Sequence, residues 1–294
     1  MTTTLRTSWK SLMNSSEPLV LPGAYDALSA RMIERAGFDA YIIGGFPLLG
    51  SRYALPDIGL AGLGEMASGV ADIVNATTLP VLVDADHGYG DVKNVTHTVR
   101  TYERMGIAAL LLEDQCAPKR CGHLAGKRIV SVEEMEAKIQ AAVSARSDAS
   151  TFLIARTDAR AVEGLDATLR RAERYIAAGA DGLFIEAPQS EAELVKIAGC
   201  FDVPQMCNML IGGVTPILSC RELHSIGFQM IVHGTTLIKR VARVLEEILA
   251  QLRDDRLDCS PEYFVSLDEF MQITGKANWV EIDRRFGKTS ATRF

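Results

Sequence analysis

The chain has 294 residues, with 31 lysines and arginines against 37 aspartates and glutamates for a formal charge of -6. Hydrophobic residues make up 48%, enough for a sizeable core. No basic block and no run of eighteen apolar residues interrupts it, which argues against nucleic acid, an anionic membrane surface or a membrane span.

In chain order, residues 1–6 (Met-Thr-Thr-Thr-Leu-Arg) lack the basic-then-apolar pattern of a secretory signal, so a cytoplasmic address is expected. Residues 7–14 read as a short helix and 19–23 as a first strand ending in a turn. Residues 26–36 carry Leu28, Met32, Ile33 and Ala36 at helical spacing, and 40–45 form a second strand. Strand-like runs recur at 79–86, 108–114, 151–158, 182–187, 203–209 and 230–235. Helical segments fall at 66–74, 92–105, 132–145, 165–179, 191–198, 220–226 and 236–253. Eight strands alternating with helices over roughly 250 residues predict parallel pairing and a closed (β/α)8 TIM barrel. The competing doubly wound sheet lacks its Gly-x-Gly-x-x-Gly turn after the first strand. The whole chain is read as one barrel domain, with residues from about 254 to 294 as a helical extension. Its helical stretch, 266–286, is expected to pack outside the barrel or on a neighbouring subunit.

Residues 79–91 run Leu-Pro-Val-Leu-Val-Asp-Ala-Asp-His-Gly-Tyr-Gly-Asp, a buried strand delivering carboxylates to an open edge. Asp84 and Asp86 are two apart, so on a continuing strand they point the same way. With Glu113 ending the next strand, an all-oxygen donor set favours a hard cation, Mg2+ or alternatively Mn2+. Most strands end in such groups: Gly44 and Gly45, Asp84 and Asp86, Glu113, Arg156 and Asp158, Glu186, Asn208, His233. A barrel collects them at its C-terminal rim, where His233 is expected to face the mouth. The polar loop 115–127 is long enough for a lid. The six cysteines (Cys116, Cys121, Cys200, Cys207, Cys220, Cys259) show no zinc or disulfide spacing. Cys121 lies among Lys119, Arg120, Gly122 and His123, a positive setting expected to lower its pKa. His87 adjoins the acids and is equally suited to a structural hydrogen bond. Arg160 and Glu163 either support the rim or are solvated.

The loop Lys119-Arg120-Cys121-Gly122-His123, together with residues 84–90, closely resembles the isocitrate lyase and phosphoenolpyruvate mutase superfamily. So do Pro22-Gly23-Ala24-Tyr25-Asp26, Leu55-Pro56-Asp57, Ile154-Ala155-Arg156-Thr157-Asp158 and Asn208-Met209. The resemblance runs from about residue 19 into the C-terminal tail. It implies that Asp84 binds Mg2+ directly while Asp86 and Glu113 hold its waters. It implies further that Asp57, Arg156, Glu186 and Asn208 line a 2-hydroxy or 2-oxo acid, and that Lys119, Cys121 and His123 arrive with a gating loop. Cys121 is the chosen general acid. The resemblance also implies a homotetramer, a dimer of dimers with C-terminal helices exchanged between neighbours.

The sequence departs from that pattern in two places. Ile43-Gly44-Gly45 replaces a serine-led triplet, and Phe46-Pro47 after it is expected to crowd the pocket and remove one N–H. Ile211 stands where an acid is common, removing a hydrogen-bond partner from the rim. Residues 43–45 and 84–90 also resemble the oxaloacetate decarboxylase branch, which lacks the Lys-Arg-Cys-Gly-His loop. The expected activity is a Mg2+-dependent carbon–carbon lyase cleaving a 2-hydroxy dicarboxylate of alkylmalate, dimethylmalate or methylisocitrate type. The alternatives are a carboxyphosphonoenolpyruvate-type mutase, an oxaloacetate hydrolase or decarboxylase, and a catalytically silent barrel.

Overall fold

The computed structural model describes residues 8–287. Eight parallel strands, β1 (Leu19–Pro22), β2 (Tyr41–Ile43), β3 (Val81–Asp84), β4 (Ala109–Glu113), β5 (Phe152–Thr157), β6 (Gly182–Ile185), β7 (Gln205–Asn208) and β8 (Met230–His233), form one sheet. Its order is β1-β8-β7-β6-β5-β4-β3-β2. The seam between β1 and β2 is joined by the parallel bridge Gly23–Ile42 and by the Ala24 N–H donating to the Ile42 carbonyl at 2.9 Å. The barrel expected from the βα alternation is therefore the one observed.

The period of two along each strand divides two cores. Leu19, Leu21, Ile42, Leu82, Leu111, Ile154, Phe184, Met206 and Val232 fill the interior. Their neighbours Ile43, Val83, Leu110, Leu112, Leu153, Leu183 and Ile231 face the helices. Helix α1 (Trp9–Met13) adds the fully buried Trp9 to the interior cluster; Thr7, given to this helix from the sequence, lies outside the described residues. Each buried leucine or isoleucine contributes about 1.5–3 kcal/mol, so the scaffold holding the rim is rigid.

The helices α2 (Ala27–Arg35), α4 (Leu63–Val74), α5 (Val92–Arg104), α6 (Val132–Ala145), α7 (Leu165–Ala177), α8 (Glu191–Ala198) and α9 (Cys220–Ser225) follow the strands. Polar N-caps start several of them: Asp26 accepts from the Ser29 amide, Asp91 from Lys93 and Asn94, and Ser131 from Glu134. One helix was missed in the sequence, α3 (Gly45–Tyr53), directly after β2. Pro47 sits in its first turn, where an amide has no partner anyway, so the N–H it removes costs the helix nothing. Helix α10 (Thr236–Arg253) follows β8. The predicted 266–286 helix is two, α11 (Leu267–Ile273) and α12 (Lys276–Phe286), parted at Gly275, whose φ of 82° ends the helical path.

By internal contacts the chain divides into compact units at residues 1–240 and 241–294. Neither α10 nor α12 buries a side chain. Among the described residues no helix is long and apolar enough to cross a membrane.

Candidate active site

Inward parity continues past the apolar interior into the C-terminal rim. Beyond Leu82 comes Asp84, beyond Leu111 comes Glu113, beyond Ile154 comes Arg156, beyond Phe184 comes Glu186, and beyond Met206 comes Asn208. Neighbouring registers bring these together: Glu113 pairs across from Arg156, and Arg156 across from Phe184. The side chains over the barrel axis are thus fixed by the same alternation that packs its floor.

Arg156 is the hub. Its Nε donates to Asp158 Oδ2 at 2.9 Å and its Nη2 to Oδ1 at 3.3 Å. Nη2 also lies 3.4 Å from Glu113 Oε2 and 3.3 Å from Glu186 Oε2, with Asp84 Oδ2 at 4.0 Å from Nη1. Burial alone would lower its pKa, yet Asp158, Glu113, Glu186 and Asp84 hold it well above the ordinary value. Asp84 and Asp86 converge, though not as expected. The strand stops at Asp84, and Asp86 takes a left-handed φ of 47° while its amide donates to Asp84 Oδ1 at 3.0 Å.

Loop 115–129 is folded over this rim. Its stems pair through Gln115 and Ile129, the Cys116 amide donates to the Arg128 carbonyl, and the Gln115 side chain braces both backbone groups of Arg120. The Cys121 amide donates to the Asp57 carbonyl at 3.2 Å. Lys119 is buried between Asp57 Oδ1 at 2.5 Å and Asp86 Oδ1 at 2.6 Å. His123 Nε2 meets Glu186 Oε1 at 3.1 Å, while its Nδ1 accepts the Val214 amide at 3.3 Å.

Together these enclose a cavity of about 80 Å3. Asp84, Arg156, Glu186, Asn208 and Asp57 line it from the barrel side, and Lys119, Cys121 and His123 from the loop. Gly44, Gly45 and Phe46, the start of α3, also line it, so the helix presents its amide end to the cavity. Pro47 takes part as well, which leaves the Gly45 and Phe46 amides as first-turn donors. Asp86 and Glu113 stand behind, joined through Lys119 and Arg156.

Three expectations are corrected. His233 falls on the outward parity beside Ile231 and approaches Cys220 Sγ at 3.7 Å, away from the cavity, because the inward-facing residues of β8 are Met230 and Val232, of which Val232 lines the cavity. Ile211 points outward at 60% exposure, and Leu210 lines the cavity instead. The Cys121 thiol is pushed up, not down. Burial dominates, while the positive neighbours are spent elsewhere: Lys119 on two carboxylates, Arg120 outward towards the Ala125 carbonyl.

His87 does not line the cavity and is held neutral, lowered to about 4 chiefly by burial and then by Lys138 and Lys119. Arg160 pairs with Glu193 and Glu163 with Arg171. Two groups missed by the site assignment are Lys127 and Asp158, a buried pair at 2.9 Å. Asp158 ends a quoted motif and Lys127 ends the polar loop, but nothing in the sequence signalled that they meet.

The acids bear on a cation. Glu113 Oε1 and Asn208 Oδ1 are buried without a hydrogen-bond partner, and such orphans call for an ion or water. Asp84 is raised to about 6 by burial and Asp86, and Glu113 is raised well above the usual range by burial. Among the described residues no three His, Cys, Asp or Glu side chains could hold a metal between them.

A barrel with a carboxylate rim, a central arginine and a thiol-bearing loop over its mouth is the arrangement of an enzyme. The chain belongs to the family described as phosphoenolpyruvate phosphomutase, which it matches over residues 9–253, within the PEP mutase/isocitrate lyase superfamily. It is 37% identical to 2,3-dimethylmalate lyase of Eubacterium barkeri, covering 94% of this chain and 96% of that protein. It is 38% identical to 2-methylisocitrate lyase of Halalkalibacterium halodurans, covering 96% and 93%. Among solved structures it is similar to oxaloacetate acetylhydrolase bound to 3,3-difluorooxalacetate, with a TM-score of 0.90, 31% identity and 96% of each chain covered. Phosphonopyruvate hydrolase with oxalate and Mg2+ gives a TM-score of 0.84 at 26% identity, covering 95% and 98%.

Proposed function

We propose that the chain is a Mg2+-dependent carbon–carbon lyase that cleaves a 2-hydroxy dicarboxylate of the 2-alkylmalate, dimethylmalate or methylisocitrate kind. The products are a 2-oxo acid such as pyruvate and a second carboxylate. The observation that carries this is the meeting of Asp84 and Cys121 on the walls of one small cavity.

Asp84 would hold Mg2+ directly, with Asp86 and Glu113 on its waters, and the bound ion supplies charge that acidifies a 2-hydroxyl. The protein's own groups do the rest. The Gly45 and Phe46 amides at the start of α3 receive a substrate carboxylate, and Asn208 Oδ1 is a free acceptor for a substrate hydroxyl. Glu186, on the cavity wall and kept ionised by Arg156 and His123, takes the proton the 2-hydroxyl gives up as it becomes the carbonyl, and Arg156 offsets negative charge that develops as the C2–C3 bond breaks. The carbanion left on the departing carboxylate needs a proton. Cys121, kept protonated by burial, donates it under a lid that shuts out water. Lys119 and His123 hold that lid on Asp57, Asp86 and Glu186.

The similarity to 2,3-dimethylmalate lyase and 2-methylisocitrate lyase supports this reading. The apolar wall of Phe46, Pro47 and Leu210 suits an alkyl-bearing acid. Incubation with 2,3-dimethylmalate, methylisocitrate and oxaloacetate in the presence of Mg2+, with pyruvate and oxalate measured, tests it. Pyruvate from either hydroxy acid is expected. Oxalate from oxaloacetate alone moves the chain to the hydrolase reading, which the likeness to oxaloacetate acetylhydrolase favours, and phosphorus NMR on a phosphonate tests the mutase. The same reading includes a cytoplasmic enzyme acting as a homotetramer, supported by the exposed Leu267, Trp279 and Phe286 of the second unit.

A further inference from the structure

We propose that Lys127 and Asp158 form the latch that holds the lid closed and, through the same carboxylate, aim Arg156. Lys127 belongs to the returning stem of the lid, and only 2% of its side chain is exposed. Its Nζ donates to Asp158 Oδ1 at 2.9 Å and also to the Gly122 carbonyl at the lid's tip. One ammonium group thus ties the barrel rim, the stem and the tip at a single point. Lifting the lid parts Gly122 from Asp158, so the bridge exists only in the closed form.

The other end of the latch reaches the reacting groups. Asp158 accepts from Arg156 Nε and Nη2, a two-point grip that fixes the plane of the guanidinium. Asp158 is itself held from behind, its amide donating to Asp114 Oδ1 at 2.9 Å, while Thr157 and Tyr175 donate to Asp114 Oδ2. Gly122 sits so close to Arg156 and Glu186 that a Cβ there would lie 2.5 Å from both. A tip drawn down by Lys127 therefore lands on an arginine whose orientation Asp158 has already set. Lys127 does not itself line the cavity and is a positioning residue. Without its charge Asp158 keeps Arg156, but the lid loses its only tie to that carboxylate among the described contacts.

The test reads the lid through Cys121, which is half-buried with the lid down and becomes more accessible to a thiol reagent when the lid lifts. Iodoacetamide modification of Cys121 is followed by peptide mass spectrometry in the ligand-free wild type and in Lys127→Met. This readout needs no substrate, although the latch's role in turnover rests on the lyase reading. Lys127→Met should modify at least tenfold faster, Lys127→Gln at an intermediate rate, and Lys127→Arg close to wild type because it restores the charge. The Gln variant carries the test should the Met variant not fold. With the substrate in hand, Lys127→Met should lose kcat with little change in KM. Equal modification rates in wild type and the neutral variants overturn the latch, as does failure of arginine to restore protection. Absence of pyruvate from any hydroxy acid overturns the lyase reading alone and leaves the modification rates standing.

Discussion

Gly122 is the point at which the lid meets the reacting groups, and adding one methyl there puts a number on how closely it must fit. A Cβ would stand 2.5 Å from Arg156 Nη2, Glu186 Cγ and Glu186 Oε2, where ordinary contact begins near 3.4 Å. The shortfall is about 0.9 Å. Flexible side-chain ends could absorb it, but these are not free: Arg156 is gripped twice by Asp158, and Glu186 accepts from the Ala187 amide and meets His123. The lid must give way, and a displacement of about 1 Å at this position costs on the order of 10²-fold in rate. That corresponds to about 2.7 kcal/mol of transition-state stabilisation. Gly122 does not have a left-handed backbone, so alanine carries no conformational penalty in the open lid and the melting temperature should hardly move. The assay is pyruvate release from the hydroxy acid that proves active, coupled to lactate dehydrogenase, with thermal melts alongside. Gly50→Ala, where a Cβ meets nothing within 4 Å, serves as control and should behave as wild type. A Gly122→Ala enzyme within roughly threefold of wild-type kcat/KM refutes the fit of lid to arginine.

Replacing the Cys121 thiol by hydroxyl in Cys121→Ser should lower kcat by about 10²–10⁴-fold without loss of fold, and unchanged turnover removes Cys121 as proton donor. Burial raises the thiol pKa, so the donor stays protonated through neutral pH and is lost only as pH rises; this group should give kcat a decline on the alkaline side, above the ordinary thiol value of about 8.5. An alkaline decline beginning below that value contradicts the assignment. Chelation should abolish activity and Mg2+ or Mn2+ restore it; Asp84→Asn should not be restored, whereas Glu113→Gln should lose about 10–100-fold in metal affinity by calorimetry. Ending the chain near Leu257 removes α11 and α12 with their exposed apolar side chains and should lower the assembly state on a sizing column, whereas an unchanged tetramer excludes the tail from the interface.

The barrel was legible because its strands carry two independent signals, β-branched runs and polar endings, at a regular spacing. Asp84, Glu113, Arg156, Glu186 and Asn208 could be assigned to the rim because each ends a run whose inward parity continues into it. His233 shows the limit. It ends its strand like the others, but whether a residue faces in or out depends on a one-residue register that β8, apolar on both faces, does not reveal. Helix α3 was hidden because Gly44 and Gly45 were given to the end of the second strand and Pro47 follows them, poor helix formers that here cap and start a helix. The thiol pKa was misjudged because sequence neighbours were counted as spatial neighbours. Lys119 and Arg120 flank Cys121 in the chain, but carboxylates distant in sequence take up Lys119 and solvent takes Arg120. The Lys127–Asp158 pair spans 31 residues, and no local pattern encodes it.

The closed site holds more acid than base. Asp57, Asp84, Asp86, Glu113, Asp158 and Glu186 face Lys119, Lys127 and Arg156, and two of the three cations come from or beside the lid. Lifting the lid strips the rim of both lysines, so an open rim is the more negative and a hard cation is held there more strongly than charge counting in the closed form suggests. Without a cation the excess is relieved by protons, as the raised Asp84 and Glu113 indicate. Cation binding displaces those protons. A dianionic acid approaching an uncompensated rim meets repulsion, whereas one approaching a rim already carrying a divalent ion finds the charge close to balanced. In turnover the latched lid would open transiently to admit the acid to a rim that carries the ion, and the lid lysines complete the neutralisation as it closes again and water leaves. Closure is thus favoured by the charge it buries, and Cys121 reaches the cavity only on a lid whose cations have found their carboxylates.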